Sequence, residues 1–275
     1  MQQIHLSSSD SSVSPNLFDS SALYDAIAPV YEEEYRETSY QRIYDLLAWQ
    51  RAISCLPSHA STVIDAGCGT GRWASWLLDA GHRVIGVEQA RSMVHQLQKR
   101  QLGDNFRLIA ENMETVDLSE ENADAVFAMS SLQFTADPAG QLRKFASWVR
   151  PGGYVAVYVD SLVARVLELL RQGQTEDAML RLKTRTDVRR MRGERADVHL
   201  FDEKILRAYF EGAGLQSIQS YGLLASASAY GKEGCDERLR EDEYTFIQSE
   251  SALSSSPLFI NLGKYVFMMG QRPIE

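Results

Sequence analysis

The order of residues in this chain predicts an α/β protein, a mostly parallel sheet with helices on both faces. Three observations carry that prediction. Apolar runs of strand length alternate with amphipathic stretches of helix length between Thr62 and Val159. The runs are short and apolar, as in strands covered from both sides. The first of them passes directly into three alternate glycines and then a helix.

The elements follow in order. Tyr40 to Leu56 has helical spacing, with Ile43, Leu46, Leu47 and Ile53 apolar. Thr62–Asp65 is a short buried strand. Arg72–Ala80 is a helix with Trp73, Trp76, Leu77 and Ala80 on one face and Gly81 as its stop. Arg83–Glu88 is the second strand, Ser92–Arg100 the second helix of the series, Phe106–Ala110 the third strand and Ala123–Met129 the fourth. Asp137-Pro138 reads as a capping residue followed by proline at the first helical position. Pro151-Gly152-Gly153 ends that helix, and Tyr154–Val159 is strand five. Residues 161–200 break the rhythm. They are rich in Arg and helical in composition, and are expected to form a helical insertion without strands. Asp202–Ala213 is a helix, Leu215–Ala225 a strand, 231–257 a second, polar insertion, and Lys264–Met269 the closing strand.

This order divides the chain into a disordered, Ser- and Asp-rich tail over 1–21, lid helices over 22–56, a ligand-binding core over 57–160, the insertion over 161–200, and the rest of the core over 201–275. With 275 residues, 44% hydrophobic and 24% charged, the chain can bury one large core. Its 28 basic and 37 acidic residues leave a net charge of −9, which argues against a general nucleic-acid partner. No apolar run approaches the roughly 18 residues that span a bilayer, and the first ten residues lack the basic and apolar regions of a secretory signal. Cys55, Cys68 and Cys235 are odd in number and scattered, so neither a disulfide framework nor a metal site is expected, and a reducing cytoplasm is the simplest setting.

The most informative residues are Asp65-x-Gly67-x-Gly69-x-Gly71. Glycines there let backbone approach a ligand closely at a helix N-terminus, whose dipole favours negative groups. The dinucleotide pattern G-x-G-x-x-G needs a third glycine where this chain has Arg72, which argues against a nicotinamide-dependent oxidoreductase. Glu88 ends strand two, 21 residues after Gly67, where a carboxylate can accept from both hydroxyls of a ribose.

On these residues, together with Arg150-Pro-Gly-Gly153 before strand five and Tyr24-Asp-Ala-Ile-Ala-Pro-Val-Tyr31, the sequence resembles the class I S-adenosylmethionine-dependent methyltransferases, in their small-molecule branch. The resemblance covers residues 22–160 well and 200–275 loosely. It implies a Rossmann-like sheet of seven strands, the last antiparallel. The cofactor would be S-adenosyl-L-methionine and the product S-adenosyl-L-homocysteine. By the same resemblance, Tyr24 and Tyr31 lie in a segment that folds over the cofactor. Asp65 would hold the methionine ammonium, directly or through water, and Gly67, Gly69 and Gly71 would line methionine and ribose. Glu88 would take the ribose hydroxyls and Gln89 would flank the adenine. Asn112 is assigned to the adenine amino group, with Glu111 as competitor, and Met113 to the ring. Ser130 falls where the family places cofactor-contacting backbone, and Gln133 where it places a side chain facing the substrate. A noncatalytic adenosylmethionine-binding regulator shares these features, so that alternative stays open.

The reaction implied is an in-line displacement at a methyl already activated as a sulfonium, which needs mainly positioning. A base is required only for a nucleophile that holds its proton at neutral pH. His199, Tyr158, Asp160 and His95 are the candidates, with His199 preferred because it follows the insertion. The seven basic residues from Arg181 to Arg195 face only Asp187 and Glu194. Read as a clamp, they place Arg189 and Arg192, with Tyr158, at a small acceptor carrying a carboxylate or phosphate. Read plainly, they are a solvated face.

Overall fold

The structure, a computed structural model, describes residues 16–274 apart from Thr38 and Ser58. Most of the tail expected over 1–21 lies outside the described residues, and the chain is already helical at Ser21.

Helices α1 (Ser21–Ile27), α2 (Tyr31–Glu37) and α3 (Ser39–Ala52) lead into β1 (Thr62–Ala66), α4 (Arg72–Asp79), β2 (Arg83–Val87), α5 (Arg91–Gln98) and β3 (Phe106–Ile109). β4 (Ala123–Met129), α6 (Pro138–Trp148) and β5 (Val149–Asp160) complete the regular alternation. The expected strands and crossover helices are all present, displaced by a few residues at their ends. β5 begins earlier, running through the glycine pair. Asp137 caps α6, its Oδ1 accepting from Gly140 N at 2.9 Å, with Pro138 at the first helical position.

The insertion over 161–200 is helical only in its first half, α7 (Leu162–Arg171) and α8 (Thr175–Thr184). The expectation of an insertion without strands is corrected by β6 (Thr186–Met191) and β7 (Glu194–His199), an antiparallel hairpin. Its two-residue turn, Arg192-Gly193, has φ of 50° and 90°, the pair of left-handed residues a tight hairpin requires. The strands were hidden by their charge. Only Ala196 and Val198 face fully inward, and every other position carries a polar or partly exposed side chain.

The chain then forms α9 (Glu203–Gly212), β8 (Gln216–Leu223), α10 (Ala227–Glu241, broken at Gly231), α11 (Glu243–Ser255) and β9 (Tyr265–Gln271). The sheet has seven strands in the order β3-β2-β1-β4-β5-β9-β8. β9 runs antiparallel to both its neighbours, and the pairs among β1 to β5 are parallel. Successive residues of each strand point to opposite faces. Ile64 and Val126 pack with Phe145, Trp148 and Phe210 under α6 and α9, while Val63 and Phe127 pack with Leu47, Trp73 and Leu77 under α3 and α4. Reversal of strand order at β1 and β4 leaves a crevice at the carboxyl ends of those strands.

Polar contacts fasten α1 and α2 across that crevice. Asp25 Oδ1 accepts from Ser92 N at 2.6 Å, and Glu32 pairs with Arg100 at 3.0 Å and accepts from the Thr70 hydroxyl. The insertion leaves and returns at one point: Leu162 N donates to Phe201 O at 2.7 Å, and Phe201 N to Asp160 O at 2.9 Å.

Candidate active site

A cavity of about 320 Å³ opens at the carboxyl ends of β1, β2, β4 and β5 and is roofed by α1 and α2. Gly67, Gly69 and Gly71 all take positive φ, at 79°, 55° and 82°. At Gly67 the need is also steric, because an added Cβ would lie 2.5 Å from Ser131 Cβ. Ser131 cannot easily retreat, since its hydroxyl donates to Ala66 O at 2.6 Å. Gly67 and Gly69 lie on the cavity wall, while Asp65 and Gly71 stand behind it. Glu88 closes this end. Its carboxylate accepts from Gly69 N at 2.9 Å and Ala90 N at 2.8 Å, which fixes both oxygens beside the turn. Burial raises its pKa, and those two hydrogen bonds oppose the rise.

Two buried groups near the turn lack partners. Asp65 is 2% exposed, and its Oδ2 has no hydrogen-bond partner among the described residues. Burial first, then the neighbouring Glu88, pushes its pKa up to about 7. Arg72, the first residue of α4, is held to the fully buried Asp45 through Nη2 at 3.1 Å and stacks on the Tyr35 ring with its guanidinium carbon 3.6 Å from the centroid. Its Nε and Nη1 have no partner among the described residues. Asp45 also accepts from the Tyr35 and Tyr158 hydroxyls. Arg72, Tyr35 and Tyr158 all line the cavity, whereas Asp45 stands behind them. Buried polar groups ordinarily find partners, so orphans of opposite sign beside one turn call for water or for a ligand that bears both charges.

Among the remaining cofactor candidates, Tyr24, Tyr31, Gln89, Asn112, Met113 and Ser130 all lie on the cavity wall, as does Glu111. Asn112 Oδ1 accepts from Glu114 N at 2.7 Å, a local turn that orients the side chain and leaves its second lone pair and its amide donors. Gln89 donates to Asp19 at 3.3 Å. Ser130 holds φ of 63°, unusual for a residue with a side chain, and its hydroxyl accepts from Gln133 Nε2 at 2.9 Å. Gln133 is fully buried and supports Ser130 from behind instead of facing the cavity.

The candidate bases are dispersed. His199 lies on β7, its ring stacked on Phe18 at 4.1 Å between centroids, and it does not line the cavity. Burial lowers its pKa, and Nε2 is without a partner among the described residues. His95 is exposed on α5. Tyr158 is on the wall, but its hydroxyl is committed to Asp45 and burial raises its pKa well above the ordinary value. Asp160 accepts from Arg189. Arg189 reaches the cavity, and Asp160 holds its charge firmly in place by raising its pKa. Arg192 stands at the hairpin tip, away from the cavity, and pairs with Glu34 of α2 at 3.0 Å. No group of three or more His, Cys, Asp or Glu that could hold a metal occurs among the described residues. No helix among them is long and apolar enough to cross a membrane.

Sequence reasoning missed Arg72 as a site residue and Asp45 and Tyr35 as its support. One signal was present: Arg72 occupies the place where a dinucleotide fingerprint requires glycine.

Residues 64–157 match a family model described as a methyltransferase domain. A malonyl-[acyl-carrier protein] O-methyltransferase of Yersinia pestis is 31% identical over 93 residues, 34% of this chain and 34% of that protein. The match thus spans about a third of the length of that relative. A tRNA 5-carboxymethoxyuridine methyltransferase of Escherichia coli K12 is 22% identical over 261 residues, 91% of this chain and 96% of that protein. Among solved structures, an S-adenosylmethionine-dependent methyltransferase from Thermotoga maritima, described as a possible histamine N-methyltransferase, superposes with a TM-score of 0.57 at 18% identity, covering 91% of this chain and 99% of that one. The fold is shared along nearly the whole chain.

Proposed function

From the premise that this chain carries a class I S-adenosylmethionine-dependent methyltransferase domain, we propose that it transfers a methyl group from S-adenosylmethionine to an anionic acceptor. The observation that carries the reading is the pair of orphans beside the glycine turn. The methionine end of the cofactor is a zwitterion, with an ammonium that matches Asp65 Oδ2, directly or through water, and a carboxylate that matches Arg72 Nε and Nη1. A nicotinamide dinucleotide has no such amino-acid end, which separates this reading from an oxidoreductase. Glu88 would take the ribose hydroxyls, Gln89 and Met113 would flank the adenine, and Asn112 would meet its edge.

Bound there, the cofactor supplies an electrophilic methyl on a sulfonium. The protein's residues do the rest by position. Tyr24 and Tyr31 close the roof, their rings 6.4 Å apart, with Tyr24 edge-on to Phe134 at 5.6 Å. That apolar cover excludes water from the methyl. No histidine is among the described residues that line the cavity, and burial raises the pKa of Tyr24, Tyr35, Tyr44, Tyr158 and Tyr265. Those hydroxyls stay protonated at neutral pH and donate. An acceptor that arrives already ionised, as a carboxylate does, needs no base. Arg189, held by Asp160 at the edge of the cavity, is the cation that would orient it. The malonyl and carboxymethoxy groups in the names of two relatives each end in a carboxylic acid, which supports a carboxylate oxygen as the methylated atom. The acceptor is read as a small molecule, with the relative that acts on tRNA as the competing precedent.

The experiment has two parts. Titration calorimetry with adenosylmethionine, adenosylhomocysteine and NAD is expected to show saturable binding of the first two alone. Release of adenosylhomocysteine is then followed with a malonyl thioester and with 5-carboxymethoxyuridine as acceptors. Binding of NAD in preference to adenosylmethionine would overturn the cofactor, and turnover confined to neutral acceptors would overturn the acceptor class.

A further inference from the structure

A second cavity, of about 330 Å³, adjoins the first and shares Arg189 and Tyr265 with it as a common wall. It is bounded by α7, the β6–β7 hairpin, α10 and the start of β9. Its described lining carries Arg165, Arg171, Arg189, Arg190, Lys232 and Lys264 against Asp160, Glu168 and Asp187. In a chain of net charge −9, this excess of cations is local, with Arg171, Arg190 and Lys232 at the exposed mouth and Lys264 partly buried.

The three acids are already matched. Asp187 is held by Arg165 at 2.6 Å and Arg181 at 2.9 Å, Glu168 by Arg165 at 2.9 Å, and Asp160 by Arg189. Arg171 donates to the Ala227 and Ser228 carbonyls at 3.1 and 3.3 Å. The side chains of Arg190, Lys232 and Lys264 make no ion pair or hydrogen bond with the described residues, and the two lysines have only ring contacts. Lys264 and Lys232 point toward one ring. Their Nζ atoms lie 5.2 and 5.8 Å from the Tyr40 centroid, reaching it from the residue before β9 and from α10 respectively. Lys264 is partly buried, and desolvation lowers its pKa while Asp160 and Glu168 oppose the effect. Those two acids are already paired with Arg189 and Arg165, so an ammonium partly drawn out of water beside them gains from a ligand that supplies further negative charge.

We propose that this second cavity binds an anionic handle of the acceptor, a carboxylate or phosphate separate from the group that is methylated, through Lys264, Lys232 and Arg190. The inference rests on the methyl-transfer reading for the word acceptor. The acceptor then lies across Arg189 and Tyr265, its reacting end in the cofactor cavity and its handle in the other. Of the arginines the sequence offered as a clamp, Arg185 pairs with Asp202 and Arg192 with Glu34, so the handle falls to residues from three separate elements.

The test titrates malonate and inorganic phosphate, with chloride as control, into the full chain with and without adenosylhomocysteine. Binding is followed by calorimetry and by Tm. Saturable binding of either anion is expected, weakened tenfold or more by Lys264→Ala, restored in large part by Lys264→Arg and unchanged by Arg192→Ala. Preference for phosphate identifies a phosphorylated acceptor, and preference for malonate a carboxylated one. Adenosylhomocysteine affinity serves as the folding check for each variant. If Lys264→Ala fails that check, Lys232→Ala and Arg190→Ala are read instead, with the same expected weakening. Absence of saturable binding by both anions overturns the proposal, as does wild-type anion affinity in folded Lys264→Ala. Anion binding without any adenosylhomocysteine binding instead overturns the cofactor reading and leaves the anion site standing.

Discussion

Arg72 Nη2 stands 3.1 Å from Asp45 Oδ2, joining the first residue after the glycine turn to the middle of α3. Asp45 is wholly buried and is shared by two tyrosine hydroxyls, so it fixes the guanidinium and leaves two of its nitrogens unspent.

The first prediction concerns those nitrogens. Arg72→Gln is expected to weaken adenosylmethionine binding by roughly tenfold or more, since a charge-assisted hydrogen bond is worth about 1.5–3 kcal/mol. Decarboxylated adenosylmethionine lacks the carboxylate, so its affinity should be nearly the same for wild type and variant. Equal losses for both ligands in calorimetry would show that Arg72 only supports the fold.

Glu88→Ala is expected to lower cofactor affinity by more than about tenfold, because two hydroxyls lose a charged acceptor. The variant also strips the Gly69 and Ala90 amides of their partner, so the turn loosens. A 2′-deoxyribose cofactor analogue separates the two effects: the penalty for deoxygenation should shrink in the variant. An undiminished penalty would remove Glu88 from the ribose.

Asp65 predicts a pH dependence. Its folded pKa, about 7, lies above the roughly 3.9 of a free aspartate. Between those values the folded state binds more protons than the unfolded state, so its contribution to stability falls as pH rises through that window. A bound ammonium favours ionised Asp65. Cofactor binding should therefore release protons near pH 7 and weaken below it. Calorimetry in two buffers of different ionisation enthalpy measures the release, and Asp65→Asn should abolish it. The Asn variant should also flatten the fall in Tm of the ligand-free protein. Proton release unchanged in Asp65→Asn would assign the titration elsewhere.

His199→Ala should lose about 1 kcal/mol of stability with its stack on Phe18, yet keep kcat within about twofold, because the imidazole lies outside the cavity. A loss of kcat of a hundredfold in a folded variant would return His199 to the chemistry.

The parts of this fold that were legible in the sequence are those set by neighbours in the chain. β1 and β4 announce themselves as apolar runs, and Asp137-Pro138 marks the start of α6, because capping and burial of a short strand are local. The hairpin was not legible, since its half-exposed, charged strands mimic a polar helix. That Gly67, Gly69 and Glu88 come together on one cavity wall was legible because their spacing is short. The Asp45–Arg72–Tyr158 network was not, since Tyr158 meets Asp45 across 113 positions and no local pattern tells which donors of an arginine will be left over. The run from Arg181 to Arg195 looked like one feature. Folding divides it: Arg189 reaches both cavities, Arg190 one of them, Arg185 turns to Asp202 and Arg192 to the lid.

The single point at which the insertion leaves and rejoins the sheet, Ser161 beside Phe201, has a consequence for ancestry. A segment whose ends are already neighbours can change length cheaply, since doubling a loop adds only about 0.6 kcal/mol of closure entropy. What lies between those ends is therefore an interchangeable cassette. Exchange of the stretch between residues 161 and 201 would replace much of the wall of the second cavity while leaving the glycine turn, Glu88, Arg72, Lys232 and Lys264 in place.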